Sequence, residues 1–152
     1  MIKIFSIKAI ILSVTLLYPL FGFVNEASAE NSRCSLATLK GTYIFNAQGY
    51  IISDSLAVPD SYIGMVYFDG LGKGKIVWHF SGTPDAITAN ATYLIDANCH
   101  ATVTYNTTPN KVFDYFVAPN GDSVQWVIKS PDNLSFSAES KRVSKKNLLD
   151  NK

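Results

Sequence analysis

The chain has 152 residues, a formal net charge of +1, and nearly equal numbers of acidic and basic residues. This balance excludes the strongly basic composition that is typical of a nucleic-acid-binding domain. Apolar residues make up 47% of the sequence, which is enough for a chain of this length to bury the core of one domain.

The first residues have the pattern of an export signal. Lys3 and Lys8 precede an apolar run over 9–24, and the segment ends with Ala-Ser-Ala. A basic start, an apolar middle and an Ala-x-Ala end predict a secretory signal peptide over 1–29. The alternative is a membrane anchor, because the apolar run is nearly long enough to span a bilayer. We favour cleavage, and so expect a secreted or periplasmic protein with no membrane span after it.

Both cysteines, Cys34 and Cys99, follow the predicted leader. An even number of cysteines in an oxidising compartment predicts a disulfide. The two cysteines and the two histidines, His79 and His100, lack the spacing of a zinc site, so we expect no metal.

The rest of the chain predicts one all-β domain over 30–143, followed by a disordered polar tail over 144–152. β-Branched and aromatic residues are frequent, Gly, Pro, Asn and Asp recur between them, and a helical period is absent. The predicted strands lie at about 41–51, 61–68, 74–80, 87–95, 100–105, 112–117, 123–129 and 133–142.

Alternation within each predicted strand separates an apolar face from a polar one. Phe113, Tyr115 and Val117 share one face of the sixth strand, for example, while Asp114 lies on the other. Successive side chains of a strand point to opposite faces, so the apolar set forms a core and the polar set faces water. This polarity is the reverse of that of an outer-membrane barrel.

The connections between the strands alternate in kind. Segments 69–73, 96–99 and 120–121 predict tight hairpins, in which Asp69 and Asp96 cap the backbone. The intervening connections contain Pro59, Pro84, Pro109 and Pro131. In an up-and-down meander, alternate connections lie at opposite ends, so the proline-bearing loops share one end and both cysteines lie at the other. We therefore predict an up-and-down eight-stranded antiparallel barrel, with a two-sheet β-sandwich as the alternative.

Four short motifs resemble a family of uncharacterised exported bacterial proteins. They are Cys34-Ser-Leu-Ala-Thr-Leu-Lys-Gly-Thr-Tyr43-Ile-Phe45, Gly64-Met-Val-Tyr-Phe68-Asp69-Gly70-Leu-Gly72-Lys73, Thr92-Tyr93-Leu-Ile-Asp96-Ala-Asn-Cys99 and Ser137-Ala-Glu-Ser-Lys141-Arg142. The resemblance implies a calycin-type barrel, similar to those of lipocalins and plant allene oxide cyclases. Tyr43 stands where lipocalins have Trp, and the resemblance implies that Arg142 closes the barrel by stacking over it.

The sequence places no nucleophile or base together, and no catalytic residue of the cyclases can be matched, so we expect no enzymatic activity and no cofactor. An eight-stranded barrel is either filled by side chains or holds one small ligand. Tyrosine hydroxyls in an apolar interior are typical of a small-molecule site. The core residues nearest the proline-bearing end are our ligand-binding candidates: Tyr62, Phe80, Tyr105, Phe113 and Leu134.

Three functions are compatible with this pattern. The first is binding of a small apolar ligand, which enters at the end formed by 52–60, 81–86, 106–111 and 130–132. The second is a protein-interaction or envelope-associated role for a barrel that is filled by its own side chains. The third is an isomerase or cyclase on the allene oxide cyclase pattern. No nucleic-acid partner is expected.

Overall fold

Eight antiparallel strands follow one another around a closed barrel, and the last strand pairs with the first. The structure is a computed structural model that describes residues 33–54 and 56–150, so the predicted signal peptide lies outside the described residues. The strands are β1 (Gly41–Ser53), β2 (Leu56–Phe68), β3 (Lys73–Phe80), β4 (Ile87–Ile95), β5 (His100–Tyr105), β6 (Lys111–Val117), β7 (Ser123–Ser130) and β8 (Leu134–Ser144). The up-and-down barrel is therefore confirmed, and the two-sheet sandwich is wrong.

The faces that point inward are those that the alternation predicts. In β1, Tyr43, Phe45 and Ala47 are buried, whereas Ile44 and Asn46 between them are exposed. The same pattern holds on the other strands, and the buried side chains form one core. Because the side-chain period of a strand is two, a one-residue slip would expose this whole face, so the apolar pattern sets the register.

The hairpin of β1 and β2 is longer than the sequence predicts. Pro59 lies within β2, opposite Tyr50, and not in the loop predicted over 52–60. The ladder between β2 and β3 begins only at Tyr62, so Pro59 lies where β2 has no strand on its second side. At such an edge the missing N–H of proline removes no ladder hydrogen bond, so proline is compatible with a strand there.

The end of the barrel that carries the tight turns is closed. The predicted disulfide is present, with the Cα atoms of Cys34 and Cys99 5.0 Å apart. It holds a short 3-10 helix (Leu36–Leu39), whose Leu39 is fully buried. The carboxylates of Asp69 and Asp96 accept hydrogen bonds from backbone N–H groups of their own turns, as predicted.

Arg142, on β8, also stabilises the end of the barrel that carries the disulfide. Its guanidinium lies 6.0 Å from the centre of the Tyr43 ring and donates to the backbone carbonyls of Thr38 (3.3 Å) and Asn120 (2.7 Å). The Tyr43 hydroxyl donates to the carbonyl of Gly121 at 2.6 Å. These bonds join the segment before β1, the turn before β7 and the end of β8 into one cover.

Two glycines with left-handed backbone test how tightly this cover is packed. Gly121 has φ of +70°, and a Cβ added to it would lie 2.0 Å from the carbonyl oxygen of Thr38. Gly82, in the loop between β3 and β4, has φ of +80°, but a Cβ there would meet no atom within 4 Å. We expect Gly121→Ala to destabilise the fold by roughly 1–3 kcal/mol more than Gly82→Ala, because both pay the left-handed penalty and only Gly121 is also overpacked. Urea denaturation of both variants measures the difference, and equal losses would contradict a packed cover.

The described part of the tail, 144–150, packs on the outer wall, whereas its polar composition predicted disorder over 144–152. The buried Thr42 hydroxyl donates to the carbonyl of Lys146 at 2.7 Å and accepts from the N–H of Leu148 at 3.2 Å. Leu148 and Leu149 line a depression shared with Met65 and Val77 of the wall. Leu148 is still exposed, so the hydrogen bonds to Thr42 are what hold this part of the tail to the wall.

Candidate functional site

The five predicted site residues all belong to the half of the barrel that is farthest from the disulfide. The loops at this end, which we call the mouth, are the β1–β2 turn at Asp54 and the connections at 81–86, 106–110 and 131–133. The sequence predicted this end as the entrance. The opposite end is covered by the disulfide and Arg142, and the longer loops lie at the mouth.

The structure brings four of the five residues together as two ring pairs. The ring centres of Tyr62 and Phe80 are 5.2 Å apart, and those of Tyr105 and Phe113 are 4.7 Å apart. Trp126 joins the pairs, because its ring lies 6.2 Å from Tyr62 and 5.2 Å from Phe113. Alternation placed these rings on the same face, but their contacts across the lumen follow only from closure of the barrel.

Leu134 lies apart from the ring pairs, at the rim. It is half-buried and faces Ile51 of β1 in the strand register. Ile128 is also half-buried against the core near this end. These aliphatic side chains form an apolar rim above the rings.

The lumen below the rim is largely filled by aromatic side chains. Tyr62, Tyr105 and Phe113 are at most 7% exposed, whereas Phe80 and Leu134 are half-buried. The deep candidates are therefore part of a packed core, and only the shallow ones are open to an incoming molecule.

Three phenol groups lie within this core, those of Tyr62, Tyr105 and Tyr115. The hydroxyls of Tyr105 and Tyr115 are 2.6 Å apart, and one bond between them uses only one of their two hydrogens. Burial raises the pKa of Tyr62, Tyr105 and Tyr115 well above the ordinary value of a phenol. All three are neutral at physiological pH, and because one O–H is used between Tyr105 and Tyr115, two O–H donors remain for an acceptor in the lumen.

The structure adds a residue that the sequence analysis missed, Lys111. It pairs with Tyr105 in the β5–β6 register, so its side chain is on the inward face. Its Nζ lies 5.2 Å from the centre of the Trp78 ring and 5.1 Å from that of Phe80. Burial lowers the pKa of the Lys111 amine. The signal was present in the sequence, because Lys111 continues the odd-numbered inward face of β6, but the predicted strand began one residue too late.

Asp60 is the inward-facing acid of the mouth. It pairs with Gly49 in the β1–β2 register, on the same face of β2 as Tyr62. Its Oδ1 accepts from the backbone N–H of Ser61 at 2.8 Å, so part of the carboxylate is already used. The site therefore combines an aromatic wall with one inward cation, one inward acid and neutral phenol donors.

A depression of about 480 Å³ lies beside the mouth, on the projecting part of the β1–β2 hairpin. Its lining residues are Gln48, Gly49, Tyr50, Pro59, Asp60, Ser61 and Ser81. None of the five predicted site residues lines it.

The two histidines lie outside the lumen. His79 is exposed on the outer face of β3, and His100 is 3.4 Å from the carboxylate of Asp114 on the outer wall. Lys129 approaches the second oxygen of that carboxylate at 3.3 Å. Within 33–54 and 56–150, no three His, Cys, Asp or Glu side chains are close enough to share a metal ion, and no helix has the length and hydropathy to cross a bilayer.

Comparison with known proteins supports the fold but gives no information on the function. No family model and no curated protein matches the sequence. Among solved structures, the chain is similar to a de novo designed fluorescence-activating β-barrel, with 18% sequence identity and a TM-score of 0.50. The likeness covers 72% of this chain and 98% of the designed one. At this identity it supports the closed barrel architecture alone.

Proposed function

We propose that this chain is an exported binding protein that holds a small apolar, ring-bearing molecule at the mouth of its barrel. The observation that carries the proposal is the half-buried aromatic rim with an inward-facing amine beside it. Phe80 offers a partly open ring, Lys111 places its amine over it, and the Tyr62 ring packs against Phe80 from below. An apolar cleft with a few convergent polar groups is the usual form of a small-molecule site.

Two features of the chain support the proposal of export. The leader-like first residues and the disulfide both fit an oxidising compartment outside the cytoplasm. A calycin-type relationship fits the closed eight-stranded barrel, and it is part of this proposal. The proposal contains no catalytic step, because the described mouth residues pair no nucleophile with a base.

A second function is favoured by a different observation. The lumen is packed by its own rings, while the outer wall exposes large apolar side chains, including Ile63 at 59% and Phe116 at 59%. A filled barrel of this kind would act through its outer surface on another protein of the cell envelope.

Titration with an uncharged fluorescent probe, N-phenyl-1-naphthylamine, separates the two functions. We expect a saturable rise in fluorescence with one site per oxidised chain, and an affinity roughly tenfold weaker in Phe80→Ala, which removes the open ring of the mouth. Phe116→Ala is the matched control, because it removes a phenylalanine from the outer wall. Absence of saturable binding to the folded chain, or an equal loss in both variants, would favour the second function.

A further inference from the structure

The Lys111 ammonium is the most distinctive group of the mouth. β2 and β6 are four strands apart in a ring of eight, so Lys111 reaches into the lumen from the wall opposite Tyr62. Its amine lies over the two β3 rings, Trp78 and Phe80, and so bridges part of the opening. Cation–π contacts hold the amine in position, but the rings provide no oxygen atom that accepts a hydrogen bond from its N–H groups.

The acidic groups of this end do not neutralise Lys111. No carboxylate of the described residues lies within 4.0 Å of its Nζ. Asp60 accepts from its own neighbouring backbone, and Asp54, Asp85 and Asp132 are exposed on the surrounding turns. Exposed charges are screened over a Debye length of about 8 Å at physiological ionic strength, so they weakly affect an anion in contact with the amine.

We propose that the mouth selects small aromatic or apolar ligands that carry one carboxylate, which the Lys111 ammonium binds while the ring of the ligand packs on Phe80. This inference rests on the proposed function and names the ligand class of the same site. A carboxylate on Lys111 completes a charge-assisted hydrogen bond in a partly desolvated place, where such bonds are strongest. The neutral Tyr62 hydroxyl supplies a further donor on the opposite wall.

Three naphthalene derivatives of nearly equal size test the charge preference. They are 2-naphthoate (anionic), 2-naphthamide (uncharged) and 2-naphthylmethylammonium (cationic), each measured by displacement of N-phenyl-1-naphthylamine at pH 7.5. We expect 2-naphthoate to bind about tenfold more tightly than 2-naphthamide, in line with the typical strength of a hydrogen bond to a charged group.

The variant Lys111→Met tests whether Lys111 causes the preference for the anion. We expect this variant to bind 2-naphthoate no better than 2-naphthamide, so that the ratio of the two affinities falls from about ten to about one. Lys129→Met, which removes an exposed lysine from the outer wall, should leave the tenfold preference intact.

The outcomes distinguish this inference from the function on which it rests. If the uncharged probe binds but the three naphthalenes bind equally, or if Lys111→Met keeps the preference for the anion, the carboxylate proposal is overturned and the binding site stands. Tightest binding of 2-naphthylmethylammonium would also overturn it and would point to Asp60. If the probe shows no saturable binding to the folded chain, both proposals fail together.

Discussion

Trp126→Ala is expected to destabilise the fold by about 3–5 kcal/mol, the usual loss when a buried tryptophan is truncated. The side chain is 3% exposed. It stacks on Tyr115 and meets Phe45 and Phe113 edge-on, with ring centres 5.2–6.1 Å away. Its Nε1 also donates to the hydroxyl of the buried Ser140 at 2.8 Å, so truncation leaves a buried polar group unsatisfied.

Gln125→Ala is the control for this prediction. Gln125 precedes Trp126 in β7 but points outward and is exposed, so its loss should stay within about 0.5 kcal/mol. Trp126→Phe keeps much of the ring volume and removes the bond to Ser140, and should fall between the two. Chemical denaturation of the three variants gives the order, and similar midpoints for Trp126→Ala and Gln125→Ala would contradict the register of β7.

The success of the sequence prediction has a simple physical source. In β6 and β7 an apolar side chain stands at every second position, so one face of the strand is set wherever the alternation is unbroken. The placement of Cys34 and Cys99 at one end then follows from counting connections in a meander. Strand number, inward faces and the disulfide were therefore all predictable from local pattern.

The errors arose where the local signal conflicts with its surroundings. Pro59 is normally a loop residue, and the sequence cannot show that β3 ends early enough to leave this part of β2 unpaired. Lys111 was assigned to the loop over 106–111, although its position in the alternation is inward. The tail lies against the outer wall through the hydrogen bonds of Thr42 to Lys146 and Leu148, which no pattern within the tail reveals.

The depth of the candidate site could not be predicted for a different reason. Alternation identifies which side chains face the lumen, but not whether they fill it. Tyr105 and Phe113 are closed off by neighbouring rings, whereas Phe80 stays partly open. This difference depends on strand tilt and on how far each side chain reaches across the lumen, and it narrows the candidate site at the mouth to the residues of the rim.

The disulfide carries the second large expected effect. Cys34 and Cys99 are 65 positions apart, and closing a loop of this length removes unfolded-chain entropy worth roughly 4 kcal/mol. We expect Cys34→Ala and Cys99→Ala each to lower the free energy of unfolding by roughly 2–5 kcal/mol, the usual range for a native disulfide of a small domain.

A comparison of the two single variants tests whether the covalent link itself is responsible. Cys99 has a left-handed backbone, with φ of 66°, and this strain remains in Cys99→Ala. Cys34 does not have a left-handed backbone, so its replacement changes only the disulfide link and a small buried side chain. If the link dominates, the two variants and the double variant should lose the same stability, and a reducing agent should lower the parent chain to that level while leaving the variants unchanged. A parent chain that keeps its denaturation midpoint after complete reduction, confirmed by thiol counting, would show that the cover is held by Arg142 and the packing of Leu39 without the disulfide.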